Sequence, residues 1–275
     1  MPIIFYESLG DFVRALPDPN DSKYTWCATP FRARDWNGNQ TFADAKANLF
    51  KGDEKALEES RRILDQVDAD GIALASSQWE HAVTGYIPCV PSYLAGSPES
   101  MRRLVDYQSD VSPIKIFVSG SVAAGFSGGD MAKRGATILA LVRKLQQIRP
   151  VSLYFFGAHA GPDNRDATGN CAIPVIQVDT NPMDLTTASY MFGNPGFVRQ
   201  LTMGWASQWG YDGSFAWGKR GRDMRSALIK HLGVTDQDLL IDPSFQDSHG
   251  DITADPVKWV NDQVKRYANS LEDLC

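Results

Sequence analysis

Aromatic and basic side chains are concentrated in one stretch of the sequence. Five aromatic residues occur between Trp205 and Trp217, and four basic residues follow within the next eight positions. Aromatic rings stack on unpaired bases while Lys and Arg neutralise phosphates, and proteins that bind single strands combine the two. The pattern therefore predicts a single-stranded nucleic-acid site. The predicted site residues are Trp209, Tyr211, Phe215, Trp217, Lys219, Arg220, Arg222 and Arg225.

The same stretch has an alternative interpretation as ordinary protein core. Trp205 and Trp209 are four residues apart and would form the buried face of a helix. Tyr211, Phe215 and Trp217 would then belong to a β-hairpin packed on the core, and the arginines would be a solvated face. Both interpretations are compatible with the sequence.

Neither the histidines nor the Gly-rich stretch after Ser119 forms a motif for catalysis or for cofactor binding. The four histidines, His81, His159, His231 and His249, do not form an HExxH pattern, and His159 is the best placed because it follows a predicted strand. The Gly-rich stretch after Ser119 lacks the Gly-Lys-Ser/Thr of a P-loop and does not fit GxGxxG. We therefore expect a protein that has no enzymatic activity and no cofactor.

Alternating strands and helices must position these residues. The predicted strands are Ile114–Val118, Val151–Phe156, Ile173–Val178 and Leu239–Asp242. The predicted helices are Met131–Gln147, Pro195–Ser207, Asp223–Leu232 and Pro256–Tyr267. This order predicts an α/β fold with a Rossmann-like, doubly wound, mainly parallel sheet, in which ligands bind at the carboxyl ends of the strands. We expect this core in residues 111–275, and a helical or irregular N-terminal extension packed on it in residues 1–110.

The extension is predicted to contain short helices, the first of them over Phe5–Leu16. Thr41 is a plausible N-cap because Asp44 follows three residues later, a weak form of the capping box. A further helical pattern covers Ala56–Val67.

The start of the predicted core resembles a known domain. An apolar strand ends in Ser119-Gly-Ser121, and a small-residue loop, a long helix and a second strand follow. This order resembles a von Willebrand factor A-type domain, whose first strand ends in Asp-x-Ser-x-Ser and binds a metal. The resemblance implies Ser119, Ser121 and Asp242 as oxygen ligands for Mg²⁺. Phe117 stands at the aspartate position, so this site would be degenerate, and the alternative is a tight turn whose hydroxyls cap the backbone.

A longer pattern carries a second resemblance. It runs from Trp79 through Gly85-Tyr-Ile-Pro-Cys-Val-Pro91 and Ser97-Pro-Glu-Ser-Met101 to Lys133-Arg-Gly-Ala. It resembles uncharacterised tailed-bacteriophage proteins with a degenerate von Willebrand A-like core. The resemblance implies a phage-encoded protein that engages single-stranded DNA and a polymerase or replication partner in the cytoplasm of the infected host cell. The alternative is a protein-interaction module that uses the face around Ser119 and Ser121, with an ATPase as partner.

Composition sets the broad class. The chain has 275 residues, 43% hydrophobic residues and a net charge of −6, which is typical of a globular protein and argues against wholesale coating by nucleic acid. The longest apolar runs fall far short of the ~20 residues needed to span a bilayer. The four cysteines are scattered without a CxxC pair, which indicates free thiols in a reducing compartment.

Overall fold

The computed structural model describes most of the chain. The described residues are 3–18, 37–69, 78–84, 87–105, 113–120, 126–157, 159–160, 171–208, 214–215, 226, 229–235, 237–241 and 252–272. The strands are β1 (Ile3–Tyr6), β2 (Gln78–Ala82), β3 (Ile87–Pro88), β4 (Met101–Val105), β5 (Ile114–Ser119), β6 (Val151–Phe156), β7 (His159–Ala160), β8 (Cys171–Val178), β9 (Ser214–Phe215) and β10 (Leu239–Ile241). The helices are α1 (Leu9–Arg14), α2 (Phe42–Asn48), α3 (Glu54–Ala69), α4 (Val90–Leu94), α5 (Gly128–Leu145), α6 (Leu185–Gly193), α7 (Thr202–Ser207) and α8 (Pro256–Glu272), and a π-helical segment covers Phe197–Leu201.

The main sheet is mainly parallel, as predicted. Its central strands are ordered β10-β5-β6-β8, and β1 adds to the other side of β8. The pairs β10–β5, β5–β6 and β1–β8 are parallel, whereas β6 and β8 are antiparallel. β1 belongs to the segment that we predicted to be an extension, so the N-terminal residues contribute a strand to the sheet itself.

One arm of the sheet extends beyond its neighbours. β6 and β7 keep the same register against β8, because Phe156 pairs with Val175 and His159 pairs with Ala172. The Gly157 N–H donates to the Pro174 carbonyl at 3.1 Å and continues the ladder between them. β6 and β7 therefore lie in one line along β8, and we call the two together the β6/β7 arm.

A single hydrophobic core covers one face of the sheet. Ile114, Ile116 and Val118 of β5 point into this core, as the alternation of a strand requires. Helix α5 lies at its centre and packs against α3, α6 and α8. The described long helices share this one core. A doubly wound sheet carries helices on both faces, so that arrangement stays a prediction.

The opposite face carries a smaller apolar cluster. Phe117 stacks on Tyr154 with ring centroids 4.8 Å apart. Phe156 and Val175 are buried beside them, and Leu232 packs against this cluster. No described helix is long and apolar enough to cross a membrane.

A buried polar network joins the N-terminal residues to the core. The Gln40 side chain donates to Asn194 Oδ1 at 3.0 Å, and the Gln200 side chain donates to the Gln40 carbonyl at 2.7 Å. Tyr190 also donates its hydroxyl to the Gln40 side chain. Thr41 then caps α2 in a capping box with Asp44, which confirms the predicted start of this helix.

A second, antiparallel sheet has the order β2-β4-β3, and α4 follows β3 directly. We call residues 78–105 the small unit.

Candidate nucleic-acid interface

Of the eight predicted nucleic-acid-binding residues, Phe215 is the one that the structure describes. It lies in β9, which pairs antiparallel with β7, so that Phe215 is opposite His159 and Ser214 is opposite Ala160. The other seven residues lie outside the described part of the chain. They are Trp209, Tyr211, Trp217, Lys219, Arg220, Arg222 and Arg225.

The position of β9 follows from the long β6/β7 arm. β5 pairs with the β6 part of the arm on the side away from β8, and its last residue, Ser119, is opposite Phe156. β9 pairs on the same side with the β7 part, so it continues the column of β5 beyond the end of that strand. The backbone of Phe215 is therefore fixed at the carboxyl edge of the parallel strands, the edge where α/β sheets bind ligands.

Trp205 is a core residue, as the alternative interpretation predicted for it. Its side chain is fully buried, and its indole N–H donates to the Tyr6 hydroxyl at 2.6 Å. The two rings meet edge to face at 6.5 Å between centroids. Burial raises the pKa of Tyr6, and the hydrogen bond from Trp205 acts in the opposite direction. Trp205 thus anchors α7 to β1 at the start of the aromatic and basic segment.

Two buried arginines contact residues just before and just after the loop that follows β5. Arg134 of α5 donates from Nη2 to the Ser119 carbonyl at 3.0 Å, and Arg199 of the π-helical segment donates from Nη2 to the Phe126 carbonyl at 3.1 Å. Burial lowers the pKa of Arg199 to about 10, a value at which the side chain remains charged at neutral pH. The two contacts therefore fix residues on either side of the loop and place positive charge near the carboxyl edge of β5.

The predicted metal site has one described ligand. Ser119 is buried at the end of β5, whereas Ser121 and Asp242 lie outside the described residues. Phe117, at the position of the metal-binding aspartate, has its ring stacked on Tyr154 on the opposite face. Among the described residues, no group of three or more His, Cys, Asp or Glu side chains could hold a metal ion. The degenerate site stays an implication of the resemblance, with a tight capping turn as the alternative.

A serine motif typical of hydrolases is used here to begin a helix. Gly125-Phe-Ser-Gly-Gly129 has the Gly-x-Ser-x-Gly spacing of a nucleophile elbow. The Ser127 hydroxyl instead accepts from the Asp130 N–H at 3.1 Å and donates to the Asp130 carboxylate at 2.7 Å. These two bonds form a capping box at the start of α5, and no described histidine hydrogen-bonds to Ser127.

Comparison with known proteins identifies the family alone. A family model described as "Domain of unknown function (DUF7192)" matches residues 2–270. The chain belongs to this family. No curated protein and no solved structure matches it. The match covers the small unit and the main sheet, and of the described residues only the last two of α8 lie beyond it.

A thiol of the small unit forms a short hydrogen-bonded chain that the sequence analysis missed. Cys89 is a free, buried cysteine, and its sulfur accepts from the Ser92 hydroxyl at 3.2 Å. Ser92 Oγ also lies 3.2 Å from His81 Nδ1. The bond from Ser92 is the main cause that lowers the pKa of the Cys89 thiol, and the charge of Arg102 adds to it. The three-residue spacing of Cys89 and Ser92 is a sequence signal, whereas His81 comes from β2.

The small unit also carries exposed apolar side chains. Tyr93 is 71% exposed and Leu94 is 78% exposed. Val83, Ile87 and Val90 are exposed as well. We call these five residues the apolar surface. Exposed apolar side chains in such a group are typical of protein interaction sites.

Proposed function

We propose that the protein is a non-enzymatic binding protein for single-stranded DNA, and that the segment from Trp209 to Arg225 makes the contact. The pairing of β9 with β7 is the observation that supports this proposal best. It anchors the middle of the segment at the carboxyl edge of the sheet.

The chemistry of the segment accounts for binding to unpaired bases. Each base that stacks on an aromatic ring contributes about 1–3 kcal/mol. The four basic residues after Trp217 neutralise phosphates, and the charges of Arg134 and Arg199 lie near the same edge. The net charge of −6 limits this attraction to a local patch.

The resemblance to phage proteins extends the proposal. In this view a degenerate von Willebrand A-like core presents the DNA-binding segment, and a phage polymerase or replication protein is the partner in the cytoplasm of the infected cell. Mg²⁺ is not required for this function.

A double variant tests the DNA site. Trp217→Ala combined with Arg220→Ala removes one stacking ring and one phosphate contact, and we expect salt-sensitive binding of a fluorescent single-stranded oligonucleotide to be lost. The matched control is Phe50→Ala with Arg62→Ala, which removes an exposed ring and an exposed guanidinium elsewhere. Equal affinity of the parent, the test variant and the control would contradict the assignment of the site.

The apolar surface favours a second candidate function, a protein-interaction module whose partner is a second copy of the chain. Five largely exposed side chains of this size offer on the order of 500 Å² of apolar area. A homodimer interface of standard size buries about 800 Å² on each partner, of which about 65% is apolar, and this is also about 500 Å². The five residues together thus carry about the apolar area that one side of such an interface buries.

Sedimentation analysis tests the second candidate. We expect the parent chain to dimerise, and Tyr93→Ser with Leu94→Ser to be monomeric because two exposed apolar side chains are replaced. Phe50→Ser, which changes an exposed ring outside the small unit, should leave the dimer intact. A parent chain that stays monomeric at high concentration would exclude self-association.

A further inference from the structure

A polar cleft lies at the amino edge of the sheet, opposite the candidate nucleic-acid interface. Its cavity of about 500 Å³ is formed by the end of α5, the turn into β6 and the residues that follow β8. A second cavity of about 440 Å³ lies between the end of α5 and α3. Arg143, Gln146 and Gln147 line both cavities, so the two adjoin at these side chains, and we call them together the cleft. Clefts of a few hundred Å³ match the size of small-molecule sites.

The walls of this cleft are basic. Arg143 and Arg149 line the first cavity, and no carboxylate lines it. Arg61 and Lys144 line the second cavity together with Asp65. The cleft thus gathers four cationic side chains and one carboxylate in a chain with a net charge of −6.

The helix dipole explains part of this concentration of charge. Arg143 and Lys144 lie in the last turn of α5, where cations stabilise the negative end of a helix. Arg61 comes from α3, and Arg149 follows the helix by four residues, so the dipole does not account for them. Neither Arg61 nor Arg143 forms an ion pair with another described residue. These two exposed guanidiniums are therefore available to an anionic ligand.

The shape of the cleft is fixed by hydrogen bonds within its wall. The Gln146 side chain donates to the Thr180 carbonyl at 2.6 Å, and the Thr180 hydroxyl donates to the Val151 carbonyl at 2.7 Å. These bonds tie the end of α5 to the residues after β8 and to the start of β6. Pro182 and Ile148 supply apolar surface in the same wall. The cleft thus offers cations beside an apolar surface, which suits a ligand with an anionic end and a less polar body.

We propose that this cleft binds a phosphorylated small molecule of about the size of a mononucleotide, with its phosphate at Arg61 and Arg143. Guanidinium groups bind phosphate oxygens in pairs of parallel hydrogen bonds, and several cations together suit a group that carries more than one negative charge. The body of the ligand lies against Pro182 and Ile148. This site is separate from the proposed DNA contact because the two occupy opposite edges of the sheet.

Calorimetric titration tests the proposal, with AMP, inorganic phosphate and adenosine as probes. We expect AMP to bind and inorganic phosphate to bind more weakly, and we expect no binding of adenosine, which lacks the phosphate. Arg143→Gln should weaken AMP binding by about tenfold or more, because it removes a charged hydrogen-bond donor. The control, Arg14→Gln on α1, removes an exposed guanidinium that lines neither cavity and should bind AMP like the parent.

Three results would overturn the proposal. The first is no heat from AMP at millimolar concentration and low salt. The second is an unchanged affinity of the Arg143→Gln variant, whose exposed side chain can be replaced without disturbing the core. The third is a parent protein that does not bind AMP together with an Arg143→Gln variant that loses oligonucleotide binding. The cleft would then recognise the phosphates of a nucleic-acid strand. The proposed DNA function does not depend on these results, because its variants lie in a different segment.

Discussion

The contact between α5 and α6 predicts that Gly135→Ala destabilises the protein. Gly135 lies in the middle of α5, where the helix meets the end of α6. A Cβ atom at this position would lie 2.7 Å from Gly193 Cα, 2.7 Å from Gly193 N and 2.7 Å from the Phe192 carbonyl carbon. All three atoms belong to the main chain, so a change of rotamer cannot relieve the contact.

Helix propensity and packing predict changes of opposite sign in the free energy of unfolding of the Gly135→Ala variant. Gly→Ala in a helix interior stabilises a helix by about 1 kcal/mol when nothing opposes the new methyl group. Overpacking a core typically costs about 1–3 kcal/mol. We expect the steric cost of Gly135→Ala to be about 3 kcal/mol, the upper end of this range, because the new methyl group meets the backbone of a neighbouring helix. After the gain in helix propensity is subtracted, the expected net loss of stability is about 2 kcal/mol.

Urea unfolding followed by circular dichroism measures this loss. The matched control is Gly129→Ala in the first turn of the same helix, where the new Cβ would meet only the Ser127 hydroxyl at 3.6 Å. We expect the control to be as stable as the parent or slightly more stable. A Gly135→Ala variant with an unchanged or raised unfolding free energy would mean that α5 and α6 do not approach each other as described.

Three further predictions concern stability. Tyr6→Phe leaves the buried Trp205 N–H without its acceptor, and we expect a loss of about 1–3 kcal/mol in urea unfolding; full stability would exclude this hydrogen bond. Burial raises the pKa of Tyr6, Tyr190 and Tyr267, so the native state keeps these protons at a pH where the unfolded chain has lost them. The unfolded chain then binds fewer protons, and stability should fall as the pH rises above about 10; a melting temperature that stays constant from pH 9 to pH 11 would contradict this. Ser127→Ala removes the cap of α5 and should cost about 1 kcal/mol, measured as a lower urea midpoint with an unchanged slope.

Local patterns in the sequence were sufficient to predict most helices and central strands. The capping residues Thr41 and Asp44 and the apolar runs of β5, β6 and β8 each act over a few neighbouring residues, so their signals are visible in one stretch of sequence. The start of α5 was predicted three residues late, at Met131. The Ser127 and Asp130 pair, spaced as a capping box, marks the true start and is itself a sequence signal.

Strand pairing was less predictable because it depends on distant residues. β1 pairs with β8, about 170 positions later in the chain, and no local pattern specifies that partner. The antiparallel direction of β8 could not be inferred from the predicted strands, because the sixteen residues between Val151–Phe156 and Ile173–Val178 suffice for a parallel crossover, and only β7 shortens the connection. Ten residues separate β7 from β8, and a parallel crossover needs a dozen or more.

The candidate site was predictable only in part. The concentration of aromatic and basic residues after Trp205 is evident in the sequence, but the burial of Trp205 depends on Tyr6 from the other end of the chain. The cationic cleft has no sequence signal, since Arg61, Arg143 and Arg149 are brought together by the packing of α3 and α5 and by the turn into β6.

Binding of single-stranded DNA is the central claim, and titration with fluorescent oligonucleotides tests it most directly. Purified protein should be titrated with single-stranded and double-stranded oligonucleotides of the same sequence at two salt concentrations. The proposal predicts preference for the single strand, an affinity that falls as salt rises because counterions are released, and loss of binding in the Trp217→Ala, Arg220→Ala variant. No binding at low salt would contradict the proposal and leave protein–protein interaction through the apolar surface as the function to test.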